Sequence, residues 1–422
     1  NAMKKVISFA LVLALIFSLA ACGKKKNSDI EVVKDYESQP VSGDSEGGQN
    51  VALNLTEVND FSNGYAWVKS SGSESYSLID TSGKIICTST AIEIHDMSND
   101  ACYVKEKVGD KDGEAIYNYK IINKEGKIVA SSTDGKFDEI LAAGDNLFFV
   151  HKYESSIDVS RHLYGTINEK GEFVNQLKEY PFDSYNHEKF TYFGVNAFGI
   201  LDYYFYSDHS FFYMPYNGNY YRVDDGYDYT KSKSSKLYFK NSSFEINGVR
   251  QELPYSYISI SSNGKVEEAP EFDMVINDML IKKNSDNDSL SFTDPSTGKT
   301  SVFSKYNVSE IYCADNNFLL KLNGKDGNKY FTVIDKNCNM LFEPVMGTGA
   351  EANDGRLVLC TDGRYSAFEY TSKCSVLDYT GKVIIPAGTY SYIGAFNSGI
   401  AWAKNSSDQY VGIDVNGKVV IS

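Results

Sequence analysis

Proline is scarce in this chain, 8 residues in 422, and tryptophan scarcer still at 2. Scarce proline, in a chain rich in aromatics, favours strands. Positive charge is also short: 41 Lys and Arg face 56 Asp and Glu, a net charge of −15. A surface of that sign repels phosphate backbones, which excludes nucleic acid as a partner and leaves cationic or neutral ones, a basic peptide or a sugar. Neither a Cys-x-x-Cys nor a His-x-x-x-His pair occurs, so the usual zinc patterns are missing. Asp110-Lys-Asp-Gly113 and Lys283-Asn-Ser-Asp-Asn-Asp288 look like calcium loops, but neither completes the twelve-residue pattern, and both read as hairpin tips. Gly-x-Ser-x-Gly, a glycine-rich phosphate loop and a nucleophilic triad are absent as well. The sequence therefore assigns no catalytic residue, no metal and no cofactor. A carboxylate pair of the glycoside-hydrolase kind stays open, because separation in space is not written in the sequence.

Long apolar runs are missing too. The one candidate, Val6 to Ala21, is shorter than the roughly 20 residues a spanning helix needs. Preceded by Lys4-Lys5 and followed by small residues, it reads as an export signal, with Asn1-Ala2 ahead of Met3 as a cloning scar. Leu19-Ala-Ala-Cys22 resembles the bacterial lipoprotein lipobox, which implies lipidation of Cys22 after cleavage and a stable hold on a membrane. Residues 23–50 are polar, rich in Lys and then in Ser, Gly and Glu, and read as a disordered tether that reaches roughly 30 Å as a coil. Lys24-Lys25-Lys26 stands where it would meet anionic headgroups. The expected division is thus 1–22 tag remnant, signal peptide and lipobox, 23–50 tether, and 51–422 one folded domain. Abundant Lys, Asn and Tyr suit an AT-rich Gram-positive source, with the protein outside the cytoplasmic membrane and monomeric.

Setting Cys22 aside leaves Cys87, Cys102, Cys313, Cys338, Cys360 and Cys374. An even number in an exported chain permits three disulfides; buried free thiols are the alternative, and the sequence does not choose.

What the chain has in plenty is aromatic residues, 32 Tyr and 24 Phe, which favour strands over helices. It also repeats itself. Phe61-Ser-Asn-Gly-Tyr-Ala-Trp-Val-Lys69 near the start returns as Phe396-Asn-Ser-Gly-Ile-Ala-Trp-Ala-Lys404 near the end. Each is followed by an apolar strand, an Asp-x-x-Gly turn and another apolar strand. The turn recurs from Asp80, Asn123, Asn168, Ser261, Asp294, Asp335, Asp378 and Asp414, mostly at intervals of about 36 to 45 residues. The interval from Asn168 to Ser261 is about double, so a degenerate unit is expected within 190–235. A polar stretch such as Ile92-Glu-Ile-His95 is taken as the fourth strand of its unit.

Four short antiparallel strands per unit point to an all-β propeller of about eight four-stranded blades, with an open β-hairpin solenoid as the alternative. Val51–Val58 has no unit of its own and Ser422 ends the chain after a third strand. The expectation is that Val51–Val58 supplies the missing strand of the last blade and closes the ring.

The units resemble the WG repeat family of bacterial envelope proteins. The likeness rests on Phe61 to Val68, Phe396 to Ala403, Ile79 to Ile86, Leu377 to Pro386 and Ile413 to Ile421. The Trp-Gly pair itself is replaced, by Tyr76-Ser77, Tyr119-Lys120, Tyr164-Gly165, Cys374-Ser375 and Tyr410-Val411. The resemblance implies a scaffold for binding or envelope association with no enzymatic activity, and names no ligand.

Two groups of aromatics are the candidate ligand-binding residues. Closure of the ring would bring Trp67 and Trp402 together, as a stacking pair for a sugar or peptide or as packing between blades. The Tyr-rich stretch in the degenerate unit contributes Tyr203, Tyr204, Tyr206 and Tyr213, either a special contact surface or ordinary strands. The expected function is a membrane-anchored, non-enzymatic scaffold for peptide, protein or glycan. The alternatives are a propeller glycan hydrolase, favoured by carboxylates of shifted pKa at the ring centre, and a purely structural envelope protein, favoured by the lack of a polar pocket.

Overall fold

The computed structural model describes residues 53–156, 160–180, 190–201, 209–224, 234–240, 244–284, 288–361 and 373–422. Turn chemistry sets its local structure. The Asp80 carboxylate accepts from the backbone N–H of Ser82 at 2.9 Å and of Lys84 at 3.1 Å, and Gly83 follows at φ +81°. One side-chain oxygen thereby satisfies two donors that a tight hairpin leaves unpaired. The same pair of bonds recurs at Asn168, Asp335, Asp378 and Asp414.

The hairpins assemble into nine antiparallel sheets, the blades of a propeller. Blade 1 comprises Leu55–Val58, Tyr65–Ser70, Tyr76–Asp80 and Ile85–Ser89; blade 2, Glu93–Ile94, Ala101–Lys111, Glu114–Asn123 and Ile128–Ser131. Blade 3 comprises Glu139–Gly144, Leu147–Ser155, Ser160–Asn168 and Phe173–Glu179. Blades 6 to 9 begin at Met274, Val308, Gly349 and Tyr392, each with four strands in chain order. Blade 4 starts at Phe190 and is widened to six strands by the hairpin Phe244–Ile246 and Val249–Gln251. That hairpin leaves blade 5 between Lys236–Lys240 and Tyr257–Ser261, so the two blades are interlocked. Blade 5 shows three strands among the described residues.

Three expectations need correction. The blades number nine, not eight: eight recognisable turns plus the degenerate unit make nine, whereas dividing the length by 45 overestimates the repeat. The phase of the unit is also shifted by one strand. Glu93–Ile94 does not end blade 1 but opens blade 2, with Glu93 opposite Lys105 and Ile94 opposite Val104. Third, the ring is not closed by exchange of the N-terminal strand. Leu55–Val58 pairs with the strand that follows it, Glu57 opposite Lys69, and blade 9 supplies its own first strand, Tyr392–Ile393. The physical reason is the same in both cases. A strand one turn away is the nearest partner, and a Glu facing a Lys across it fixes the register, with Nζ–O separations of 3.4 Å in blade 2 and 3.8 Å in blade 1.

The ends nevertheless meet, face to face. Leu55, Phe61, Ala66, Val68 and Ile79 of blade 1 share one buried cluster with Ile400, Trp402 and Ile421 of blade 9. Phe61 stacks on Trp402 with ring centroids 5.4 Å apart. The Trp402 indole donates to the Asn59 carbonyl at 2.8 Å, Gly64 N–H donates to Ser398 Oγ at 2.9 Å, and Leu53 N–H donates to the Ser422 carbonyl at 2.6 Å. The open solenoid is thereby excluded. Burying each large aromatic side chain at this seam contributes roughly 1.5–3 kcal/mol.

Polar bonds between the first turns of successive blades form a belt beside these apolar layers. Ser62 and Asn63 donate to the Met97 carbonyl, Asn99 to Asp145, and the backbone of Asp354 and Gly355 to the Asp315 carboxylate. Gly399 N–H donates to Asp354 in turn.

Blade 7 breaks the turn rule. Cys338 stands where the repeat has Gly and is held at φ +64°, a left-handed conformation that a side chain resists. Cys338→Gly is expected to stabilise the protein by about 1 kcal/mol, measured as a higher denaturant midpoint with unchanged slope. A lower midpoint would show that the packing of the thiol outweighs the backbone strain.

Candidate functional site

In blades 2, 3, 4 and 8 the first strand lines the middle of the ring, and first-turn residues of blades 1, 2, 3 and 6 face it as well. There the structure leaves a cavity of about 1140 Å³ along blades 1 to 6. Its ionisable lining is unbalanced: Glu93, Asp96, Glu139, Asp145 and Asp278 against Lys105, with His95 beside them. A second cavity of about 810 Å³ lies between the inner strands of blades 7 and 8, and Glu351 lines it. A small recess of about 90 Å³ joins Glu351 to Asp60 near the seam.

Three carboxylates on this inner wall hold their protons unusually well. Asp60 is raised above the usual carboxylate range by burial and by the neighbouring Asp96 carboxylate. Asp96 is raised by burial, with His95 opposing, and Glu351 is raised by burial and by Asp60. All three occupy one repeat position, the residue just before Phe61-Ser-Asn-Gly64, Met97-Ser-Asn-Asp100 and Ala352-Asn-Asp-Gly355. The channel wall surrounds Asp60 and Asp96 even though water reaches them, so their charged forms are poorly solvated and repel one another.

Blade 2 builds a different wall. His95 stacks on Tyr103, ring centroids 3.8 Å apart, and its Nε2 lies 2.9 Å from Glu93 Oε1. Burial holds His95 below the ordinary imidazole range, against the pull of Glu93. Burial pushes Glu93 up, but the His95 hydrogen bond and the Lys105 ammonium outweigh it and leave the carboxyl low. Lys105 also lies over the Tyr117 ring, 4.7 Å from its centroid. Further round, Glu139 begins a hydrogen-bonded chain to His151 at 2.7 Å and on to His162 at 2.9 Å. Gly144 lets blades 3 and 4 close together, since a Cβ there would sit 1.9 Å from the Tyr192 ring.

The aromatic candidates read from the sequence do not line this site. Trp67 and Trp402 are each 1% exposed and sit in separate inter-blade layers. Trp67 donates to the His95 carbonyl at 3.1 Å, just as Trp402 donates to the Asn59 carbonyl, so both indoles are buried staples from one blade to the next. Tyr213 is fully buried among Phe149 and Tyr180. Tyr203, Tyr204, Tyr206 and Cys22 lie outside the described residues. The cysteine question is answered in part: Cys360 and Cys374, opposite each other on adjacent strands of blade 8, form a disulfide, and Cys87, Cys102, Cys313 and Cys338 are thiols. Among the described residues no group of three His, Cys, Asp or Glu is placed to hold a metal ion.

Comparison with known proteins follows the same lines. The family model described as WG containing repeat matches at two places, residues 44–72 and 376–407, the two ends where the repeat reads best. The resemblance read from the sequence is met there. None of the curated proteins matches the chain. Among solved structures, an uncharacterized protein of Listeria monocytogenes EGD-e is 10% identical with a TM-score of 0.37, over 90% of this chain and 98% of that one. The β-propeller domain of the Trilobed protease from Pyrococcus furiosus is 9% identical with a TM-score of 0.32, over 78% of this chain and 96% of that one. Prolyl oligopeptidase B from Galerina marginata is 9% identical with a TM-score of 0.34, over 86% of this chain and 55% of that one.

The raised carboxylates carry a stability consequence. Above their ordinary range the folded protein keeps protons that the unfolded chain has released, so stability falls as pH rises from about 4 through the raised values. Asp60→Asn removes one such charge. It is expected to raise the thermal midpoint at pH 7 and to leave it unchanged near pH 3.5; an equal shift at both pH values would contradict the assignment.

Proposed function

We propose that this protein is a non-enzymatic binding scaffold whose ligand enters the central cavity, and that the ligand is cationic, a basic peptide or the basic surface of a protein. One observation carries the reading: Lys105 is the one Lys or Arg among the described residues lining a large cavity that five carboxylates also line. Such a wall attracts positive charge and, being concave, concentrates it. A polar cavity of this size also speaks against a purely structural role. The leader, the lipobox ending at Cys22 and the polar segment 23–50 support a lipid-anchored protein outside the cytoplasmic membrane, with its ring held off the bilayer by the tether.

A specific observation supports a second reading. Asp60, Asp96 and Glu351 converge with their pKa values raised, the condition under which a carboxyl group serves as a general acid, as in glycan hydrolysis.

A glycan and peptide array probed with the full chain separates the two. The binding reading expects capture of Lys- and Arg-rich peptides at low salt, reduced at least tenfold at about 0.5 M salt and weakened by Asp96→Asn. Capture of neutral glycans with basic peptides ignored would overturn it. Release of reducing ends from a captured glycan, abolished by Asp96→Asn, would establish the hydrolase instead.

A further inference from the structure

Within the cavity, His95 is fixed more firmly than a lining residue needs to be. Its backbone N–H donates to the Tyr103 carbonyl at 3.1 Å, and its own carbonyl accepts the Trp67 indole N–H at 3.1 Å. Its ring lies flat on Tyr103, and Glu93 takes Nε2. An ionised carboxylate only accepts hydrogen bonds, so Nε2 carries the proton, and in the neutral imidazole Nδ1 is left as a lone-pair acceptor. Nδ1 makes no hydrogen bond among the described residues. A pinned, pre-oriented acceptor on the wall of an acidic cavity is suited to an N–H donor that brings positive charge.

We propose that the Glu93–His95 pair is the point at which the cavity grips a protonated amine of its ligand, Glu93 orienting the ring through Nε2 and His95 Nδ1 accepting the ammonium N–H. This rests on the cavity-binding reading above and adds to it the class of group recognised and the residue that recognises it. The charges around the ring favour the same occupant. Glu93 and Asp96 share its segment, Tyr103 and Lys105 lie on the adjacent strand, and Tyr119 is on the next. Asp60 of blade 1 and Glu139 of blade 3 complete the setting, and Lys105 is already engaged by Glu93. When His95 takes a second proton, Nδ1 turns from acceptor to cationic donor and repels an ammonium group. Burial holds that protonation below the ordinary imidazole range, so binding is intact at neutral pH and falls away as pH drops through the lowered value.

The test is calorimetric titration of the full chain with a pentalysine peptide, and with its side-chain-acetylated counterpart as the neutral control, near pH 7.5 and pH 5. Native protein is expected to bind pentalysine and not the acetylated peptide. His95→Ala should weaken binding about tenfold at the higher pH, the size of a lost charge-assisted hydrogen bond. His95→Asn places an amide oxygen near the position of Nδ1; it should stay within about threefold of native and lose less affinity than native at the lower pH. If His95→Ala binds as native while Asp96→Asn weakens binding, the grip is elsewhere and the cavity reading stands. If native protein ignores pentalysine, both fall. Should His95→Ala prove unfolded by circular dichroism, the Asn variant decides: an affinity loss at low pH equal to the native one overturns the proposal.

Discussion

Trp402 of blade 9 passes its indole N–H to the Asn59 carbonyl of blade 1, and on this contact the wheel depends. Around it, Phe61, Leu55, Ile400 and Ile421 exclude water from the seam, and Gly64 and Ser398 bond beside it. The nine blades would otherwise stack with one apolar face left bare at either end. The same device is used one blade on, where Trp67 donates to the His95 carbonyl. It therefore serves both the closure of the ring and the placement of the residue that stands on the cavity wall.

Closure by packing rather than by strand exchange has a consequence for cooperativity. A shared strand would tie the chain ends together by a ladder of backbone bonds; here, among the described residues, one such bond, from Leu53 to Ser422, accompanies an apolar layer. The seam is then sensitive to any change in the volume of Trp402 or Phe61, because a packed layer does not collapse around a missing ring. The interlocked blades 4 and 5 solve the same problem in another way, by lending a hairpin outward to the neighbour.

Much of the architecture was legible in the sequence because the Asp-x-x-Gly turn does its chemistry locally: carboxylate, two N–H groups and a residue at positive φ lie within five positions. The strand phase was not legible, because Ile92–His95 follows one hairpin and precedes another with similar spacing. Only the pairing of Glu93 with Lys105, seen across the sheet, assigns it. The disulfide was equally hidden, since cross-strand register decides that Cys360 meets Cys374. Tryptophan drew attention in the sequence by its rarity, yet the repeat buries it. The cavity wall instead carries Glu93, Asp96, Glu139, Asp145 and Asp278, with Asp60 and Glu351 in a recess beside it, ordinary residues that matter because the ring places them at its middle. Writing the units one above another shows a carboxylate at the position of Asp60, Asp96 and Glu351 in only those three, with Ala142, Met274, Tyr312 and Ala395 in others, and does not show that the wall raises their pKa values.

The chemistry of the cavity follows from the ring. Bringing blades 1, 2 and 8 around one axis is what sets Asp60 against Asp96 and Glu351, and it is the enclosure that makes their charged forms costly. Without closure Glu351 would lose Asp60 as its neighbour, while Asp60 and Asp96, on consecutive blades, would still face each other. The most direct measurement is hydrogen exchange at the two indole N–H groups, which are resolved from each other by a Trp67→Phe variant. Closure predicts that the Trp402 indole exchanges as slowly as that of Trp67, through opening of the folded ring. Exchange of Trp402 at the rate of a free indole, with Trp67 still protected, would show that blade 9 does not rest on blade 1.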